Sequence, residues 1–197
     1  MTTRHQDHKS RFQQLLKQFS DSFSNHKIHR MEVVGTVRGV WLRNPQRSAN
    51  HVWCWELPGP VVAVYGDHHI GDHRGVVSAP GYGLNWFAVE IEPAYLAEKF
   101  LRQRWTSERA IDELTSDALW EDCIHPTAEE RSVLCDAIEG ASDEAEAIEA
   151  LRDAWDWDWH ATLPGHGYDL VELASLVTIQ RTFRRLWSAT CAPVVQP

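Results

Sequence analysis

Near the start of the chain, Phe12, Leu15, Leu16, Phe19 and Phe23 recur at spacings of three and four. Residues so spaced share one stripe of a helix, which predicts an amphipathic helix over residues 8–24 that ends near Asn25. The period then shortens. Met31, Val33, Val34, Val37, Val40, Trp41 and Leu42 suit one or two strands, with Gly35 and Gly39 as bends or bulges. Asn44 to Ser48 reads as a turn, and His51 to Leu57 alternates as a strand does. Pro58-Gly59 is a turn signal, and the β-branched run Val61 to Tyr65 is the strongest strand signal in the chain, so the two strands form a hairpin.

Residues 66–83 are polar and hold five glycines, one proline and three histidines, which predicts a long loop or irregular ribbon. Asn85 to Ile91 reads as a further strand. Pro93 stands at the favoured first-turn position of a helix that runs on through Trp105. Every later signal is helical. Ser107 starts one helix, and Thr127 and Glu130 have the spacing of a capping box. Asp143, Glu144 and Glu146 crowd a first turn, where the helix dipole favours acids. Pro164 to Gly167 breaks the pattern, and Asp169 to Trp187 is the last helix. The expectation is α+β: a small antiparallel sheet within residues 28–91, packed with a helical part at 93–190. A boundary near residue 105 reads as the seam between two halves of one domain spanning 1–197.

Composition narrows the function classes. A chain of 197 residues with 43% apolar and 24% charged residues is long enough to fold without a disulfide or metal staple. Its four cysteines, Cys54, Cys123, Cys135 and Cys191, include no Cys-x-x-Cys pair. The polar opening MTTRHQDHKS has no apolar run behind it, and no segment approaches a membrane span. A cytoplasmic setting in a bacterial host cell is expected. The formal charge of −9 disfavours nucleic acid and favours a protein partner that is itself basic. Ten tryptophans are a surplus; tryptophan serves both as core filler and as interface anchor.

The densest polar cluster, Gly66-Asp67-His68-His69-Ile70-Gly71-Asp72-His73-Arg74-Gly75, contains five side chains able to bind metal: Asp67, His68, His69, Asp72 and His73. Imidazole and carboxylate suit zinc or manganese. The element is superficially similar to the Gly-Asp-x-x-Asp-Arg-Gly of metallophosphoesterases, but the Asp-x-His and Gly-Asn-His that accompany it there are missing. More distant ligands for such a site are His51, His125, His160 and His166. Cys123, His125 and Cys135 match no common zinc spacing. There is no Gly-x-Ser-x-Gly elbow and no glycine-rich phosphate loop, so no catalytic set is legible.

Two segments suit partner binding. In Trp155-Asp156-Trp157-Asp158-Trp159, a helix cannot put all three indoles on one face, whereas an extended segment does, with both aspartates on the other. Arg181, Arg184 and Arg185 form a basic cluster on the last helix, fit for an anionic surface or simply a solvated face.

Two stretches carry a family resemblance. Pro58-Gly59-Pro60-Val61-Val62-Ala63-Val64-Tyr65-Gly66-Asp67 and, later, Glu92-Pro93-Ala94-Tyr95-Leu96-Ala97-Glu98-Lys99 resemble an uncharacterised protein family of tailed phages and prophages. About twenty positions match closely and half of the chain loosely. The family's short turn after Gly-Asp is replaced here by the His-rich stretch. The resemblance implies that Gly66 and Asp67 form a structural turn and that the chain is a phage accessory protein. Three functions follow as expectations, in order. The first is a phage or prophage protein, leaning away from an enzyme and needing no cofactor, that binds a host or phage protein, for instance to inhibit host defence. The second is a metal-dependent hydrolase built on the 67–73 cluster. The third is a nucleic-acid binder using Arg181, Arg184 and Arg185.

Overall fold

The computed structural model describes residues 3–47, 51–59, 61–66, 72–76, 83–120, 126–155 and 163–191. The fold is α+β, with its sheet in the first half and helices through the second. Contacts divide the chain into two compact units, Met1–Arg102 with Leu170–Pro197, and Gln103–Asp169. The second unit begins two residues before the boundary read from sequence at 105, while the last helix belongs to the first unit.

The first unit is built on a five-stranded antiparallel meander of β1 (Lys27–Val34), β2 (Val37–Arg43), β3 (Val52–Leu57), β4 (Val61–Gly66) and β5 (Asp72–Val76), each paired with the next in sequence. Helix α1 (Thr3–Phe23) precedes the sheet. After it come α2 (Gly83–Phe87), α3 (Pro93–Phe100) and the C-terminal α7 (Leu170–Cys191), which packs against α1, α2 and α3. Alternation sorts each strand into two faces. Val40, Leu42, Val52, Cys54, Val62 and Val64 are at most 1% exposed and form the core face, against which α2 packs. Phe87 joins Phe100 and Phe183 in an aromatic cluster behind it, with ring centroids 5.8 and 5.4 Å away.

Three sequence expectations change here. The segment Asn85–Ile91 is not a strand. Its first part lies in α2, where Leu84 and Phe87, three apart, are both fully buried. The start is fixed by Glu56, whose carboxylate accepts from the Leu84 N–H at 2.9 Å and from Arg38 at 2.5 Å. Gly83 makes this possible. Its φ is +34°, and a Cβ there would lie 2.0 Å from the Glu56 carboxylate oxygen. The buried Gln180 amide then donates to the Phe87 and Val89 carbonyls past the helix end, at 3.0 and 2.5 Å. Tertiary partners thus override the β propensity of Trp86, Phe87 and Val89.

Second, the 66–83 loop contains a strand: β5 pairs with β4 from Tyr65↔Asp72 to Val61↔Val76. Among the described residues it lies at the edge of the sheet, where polar residues and glycine are tolerated, so its composition read as loop. Third, the helix opened by Pro93 stops at Phe100 rather than Trp105; the Leu101 N–H donates to the Ala97 carbonyl at 2.8 Å and the backbone turns extended. Arg104–Trp105 is instead a two-residue strand, β6, paired with β7 (His166–Gly167).

The second unit holds that ribbon and α4 (Ser107–Leu114), a 3-10 turn (Asp117–Trp120), α5 (Ala128–Glu139) and α6 (Glu144–Ala154). Helix α5 packs against both α4 and α6 around Ala110, Leu114, Trp120, Leu134, Ile138, Ala147, Ile148 and Leu151. The starts are locally encoded. Thr127 and Glu130 close the expected capping box, with hydrogen bonds of 3.2 and 2.6 Å. Asp143 caps α6 by accepting from Ala145 and Glu146. The Trp105 indole donates to the Pro164 carbonyl at 2.9 Å, tying the two ends of the unit together. Among the described residues, no helix is long and apolar enough to cross a membrane.

Candidate protein-binding site

Dividing the charges by unit changes their meaning. Gln103–Asp169 holds 18 acidic and 4 basic residues, a formal charge of −14; the rest of the chain holds 10 and 15, a formal charge of +5. The overall −9 therefore hides one strongly acidic helical unit and one mildly basic unit around the sheet. A field of one sign over so small a unit attracts cations and basic surfaces, and raises their rate of encounter.

Within the acidic unit a groove of about 340 Å³ lies between α5 and the end of α6, lined by Glu129, Glu130, Val133, Leu134, Ala154 and Trp155. The α5 residues fall on two neighbouring rows of the helix, one turn apart. Val133 is 49% exposed although apolar, which marks it as surface without a covering element among the described residues. Leu134 beside it reaches into the core. Trp155 ends α6 in extended conformation, its N–H donating to the Leu151 carbonyl at 2.8 Å. Its indole stacks on the buried Trp120 at 5.7 Å with a 22° interplanar angle. An indole so held is half-buried and orientationally fixed, as a binding anchor must be. Glu129 and Glu130 stand at the rim. Backbone and side-chain hydrogen bonding to Thr127 holds the Glu130 carboxyl below its ordinary pKa, so the rim carries negative charge. The groove therefore offers an apolar floor beside carboxylates, the complement of an apolar side chain flanked by lysine or arginine.

Of the partner-binding residues read from sequence, Trp155 stands in this groove, and Trp157 and Trp159 lie outside the described residues. The arginine cluster is divided. Arg181 and Arg185 line a shallow cavity of about 200 Å³ in the first unit with Ser20, Phe23, Ser24, Thr178 and Thr182, and Arg185 donates to the Ser24 carbonyl at 3.4 Å. Arg184 instead pairs with Glu90 at 3.2 Å. Of the metal candidates, Asp67, His68 and His69 lie outside the described residues, as do Cys123, His125 and His160. Asp72 and His73 stand on β5, described only in backbone. Among the described residues no three His, Cys, Asp or Glu side chains converge as a metal site. Cys54 is fully buried and burial pushes its thiol pKa up, the opposite of what a nucleophile needs. Sequence reading missed Val133, Leu134 and Ala154, and took Glu129 and Glu130 only as a helix start.

The sheet's outer face carries a second aromatic feature. Trp41, Trp53 and Trp55 stack in a column, with centroids 5.2 and 4.9 Å apart and interplanar angles of 11° and 15°. His29 and His51 pack T-shaped against Trp41, and the Arg43 guanidinium lies 5.7 Å from its ring centroid. Trp55 lies across Gly39 of the neighbouring strand. The ring faces are thus largely spent on each other, and a column of this kind presents edges rather than the free faces that nucleobases stack on. Of the eight described tryptophans, only Trp120 is fully buried. The other seven are half-buried, and Trp86, Trp105, Trp155 and Trp187 pack against core residues.

No protein-family model matches this chain, and neither a curated protein nor a solved structure matches it significantly.

Proposed function

We propose that this chain is a binding protein without catalytic activity, of the phage or prophage accessory class its middle resembles, that captures a basic protein partner on its acidic helical unit. The groove at Trp155 is the anchor point. The observation that carries this reading is the coincidence of a −14 unit with an apolar groove rimmed by Glu129 and Glu130 and floored by Val133 and Trp155. Charge of one sign steers the encounter, and the fixed indole supplies the short-range energy. A host protein that normally handles nucleic acid presents the basic surface required, and a component of host defence is one such partner.

The test is affinity capture of the tagged full-length protein from bacterial lysate, with the eluate read by mass spectrometry after washes of rising salt. The expected result is one stoichiometric protein with a basic surface, released as salt rises. An empty eluate, or a captured partner that is acidic, overturns the proposal.

A further inference from the structure

The first strand of the meander leaves one long edge open. β1 pairs with β2 on one side, and among the described residues no strand pairs with its other side. It is eight residues long, and its apolar residues are unusually exposed: Met31 48%, Val33 71% and Val34 70%. An edge of this length with apolar side chains is a template for another strand. The charges on β1 identify which strand.

From the β1–β2 register, Arg30 and Glu32 lie opposite Trp41 and Gly39, on the tryptophan face, while Met31 lies opposite Val40 on the core face. Arg30 and Glu32 already meet each other at 2.6 Å. If two copies of β1 pair antiparallel about a twofold axis through Met31, Arg30 of each falls opposite Glu32 of the other, and Met31 faces Met31. The neighbouring registers of the same parity set Arg30 against Arg30 or Glu32 against Glu32. Like charges directly opposite disfavour both. A slip by one residue sets tryptophan-face residues opposite core-face residues. The bulge between Ile28 and Arg30 ends the regular stretch, and Val33 and Val34 then run alongside the partner copy's Ile28 and His29. A twofold operator makes such a contact self-closing, so it yields a dimer rather than a fibre.

We propose that the open edge of β1 binds a second copy of this chain, in antiparallel register centred on Met31, joining the two sheets into one. This goes beyond the binding function above and involves a different unit of the chain.

Sedimentation equilibrium of the full-length protein over the micromolar range tests it, with four samples. The wild type is expected at twice the chain mass of 22.6 kDa. Arg30→Glu and Glu32→Arg each turn both cross-strand pairs into like-charge pairs, which weakens self-association roughly thirtyfold and leaves each a monomer. An equal mixture of the two variants restores both pairs as Glu against Arg, and the dimer returns. The doubly exchanged Arg30→Glu/Glu32→Arg chain also dimerises, which shows that the strand tolerates both substitutions. A monomeric wild type overturns the proposal and leaves the edge to a strand of another protein. Single variants that dimerise as well as the wild type, or a mixture that stays monomeric, overturn it equally.

Discussion

Replacing Gly39 with alanine isolates the contribution of the tryptophan column. The backbone at Gly39 is ordinary strand, so alanine meets no conformational obstacle. The obstacle is the Trp55 ring: the new Cβ would lie 2.2, 2.5 and 2.7 Å from three of its carbons. Ordinary carbon contacts are about 3.5–4.0 Å, so the indole must retreat by roughly 1.5 Å. It cannot do so and keep its 4.9 Å stack on Trp53. Overpacking costs about 1–3 kcal/mol and a lost aromatic pair about 0.5–1.5 kcal/mol. Against these, alanine recovers about 0.5–1 kcal/mol of unfolded-chain entropy. The net expectation is a loss of about 2 kcal/mol, or roughly 4–8 °C in Tm for a chain of this size. Thermal unfolding followed by circular dichroism measures the stability, and the exciton couplet of stacked indoles reports the column. Gly35→Ala is the control. Gly35 has φ +61° with nothing within 4 Å of its Cβ, so the substitution costs about 1 kcal/mol of backbone strain and leaves the couplet intact. Combining Gly39→Ala with Trp55→Leu should remove most of the steric penalty, a coupling that a double-mutant cycle reads. An unchanged Tm and couplet in Gly39→Ala would refute the reasoning.

Other outcomes follow from single contacts. Gln180→Leu leaves the Phe87 and Val89 carbonyls without their buried donor, and urea unfolding should show a loss of about 1–3 kcal/mol. Thr127→Ala opens the α5 capping box and should cost about 1 kcal/mol at neutral pH in the same assay. The Glu130 carboxyl is held below its ordinary pKa by hydrogen bonds to Thr127, so its share of that stability is present above the unfolded carboxylate pKa and disappears as pH falls through the folded one. The gap between wild type and Glu130→Ala should therefore narrow in acid, because the Thr127 N–H donates to that carboxylate; a constant gap contradicts the assignment. At Glu56, burial pushes the pKa up, but hydrogen bonds from Arg38 and Leu84 and the Arg38 charge outweigh it, leaving the pKa lowered. Wild type should accordingly lose stability relative to Glu56→Gln as pH drops through the carboxylate range, and parallel pH profiles would contradict that.

Local signals were legible where the chain answers to its own neighbours in sequence. Thr127 and Glu130 announced a capping box, Pro93 a helix start, and Val61 to Tyr65 a strand, because each depends on contacts within a few residues. Failures came where distant partners decide. The helix at Gly83–Phe87 depends on Glu56, 28 residues away in sequence from Leu84, and on Gln180 near the other end of the chain. The strand at Asp72–Val76 depends on pairing with β4, which polar composition does not reveal. The candidate site was legible only at Trp155, whose surplus aromatic character stood out. Glu129 and Val133 look like any solvated helix face until α6 is placed beside α5. The acidity was visible as a total, but its concentration in one unit required the boundaries of that unit.

The central claim is that the α5–α6 groove is where the partner binds. Calorimetric titration of the captured partner into wild type and Val133→Lys tests it most directly. Val133 is 49% exposed, so lysine there leaves the unit folded while placing on the apolar floor a charge of the same sign as the partner's. Burying that charge against a partner costs about 2 kcal/mol or more, so the account predicts a Kd raised roughly thirtyfold or beyond, with circular dichroism unchanged. A Kd equal to that of the wild type would place the partner elsewhere on the protein and contradict the account.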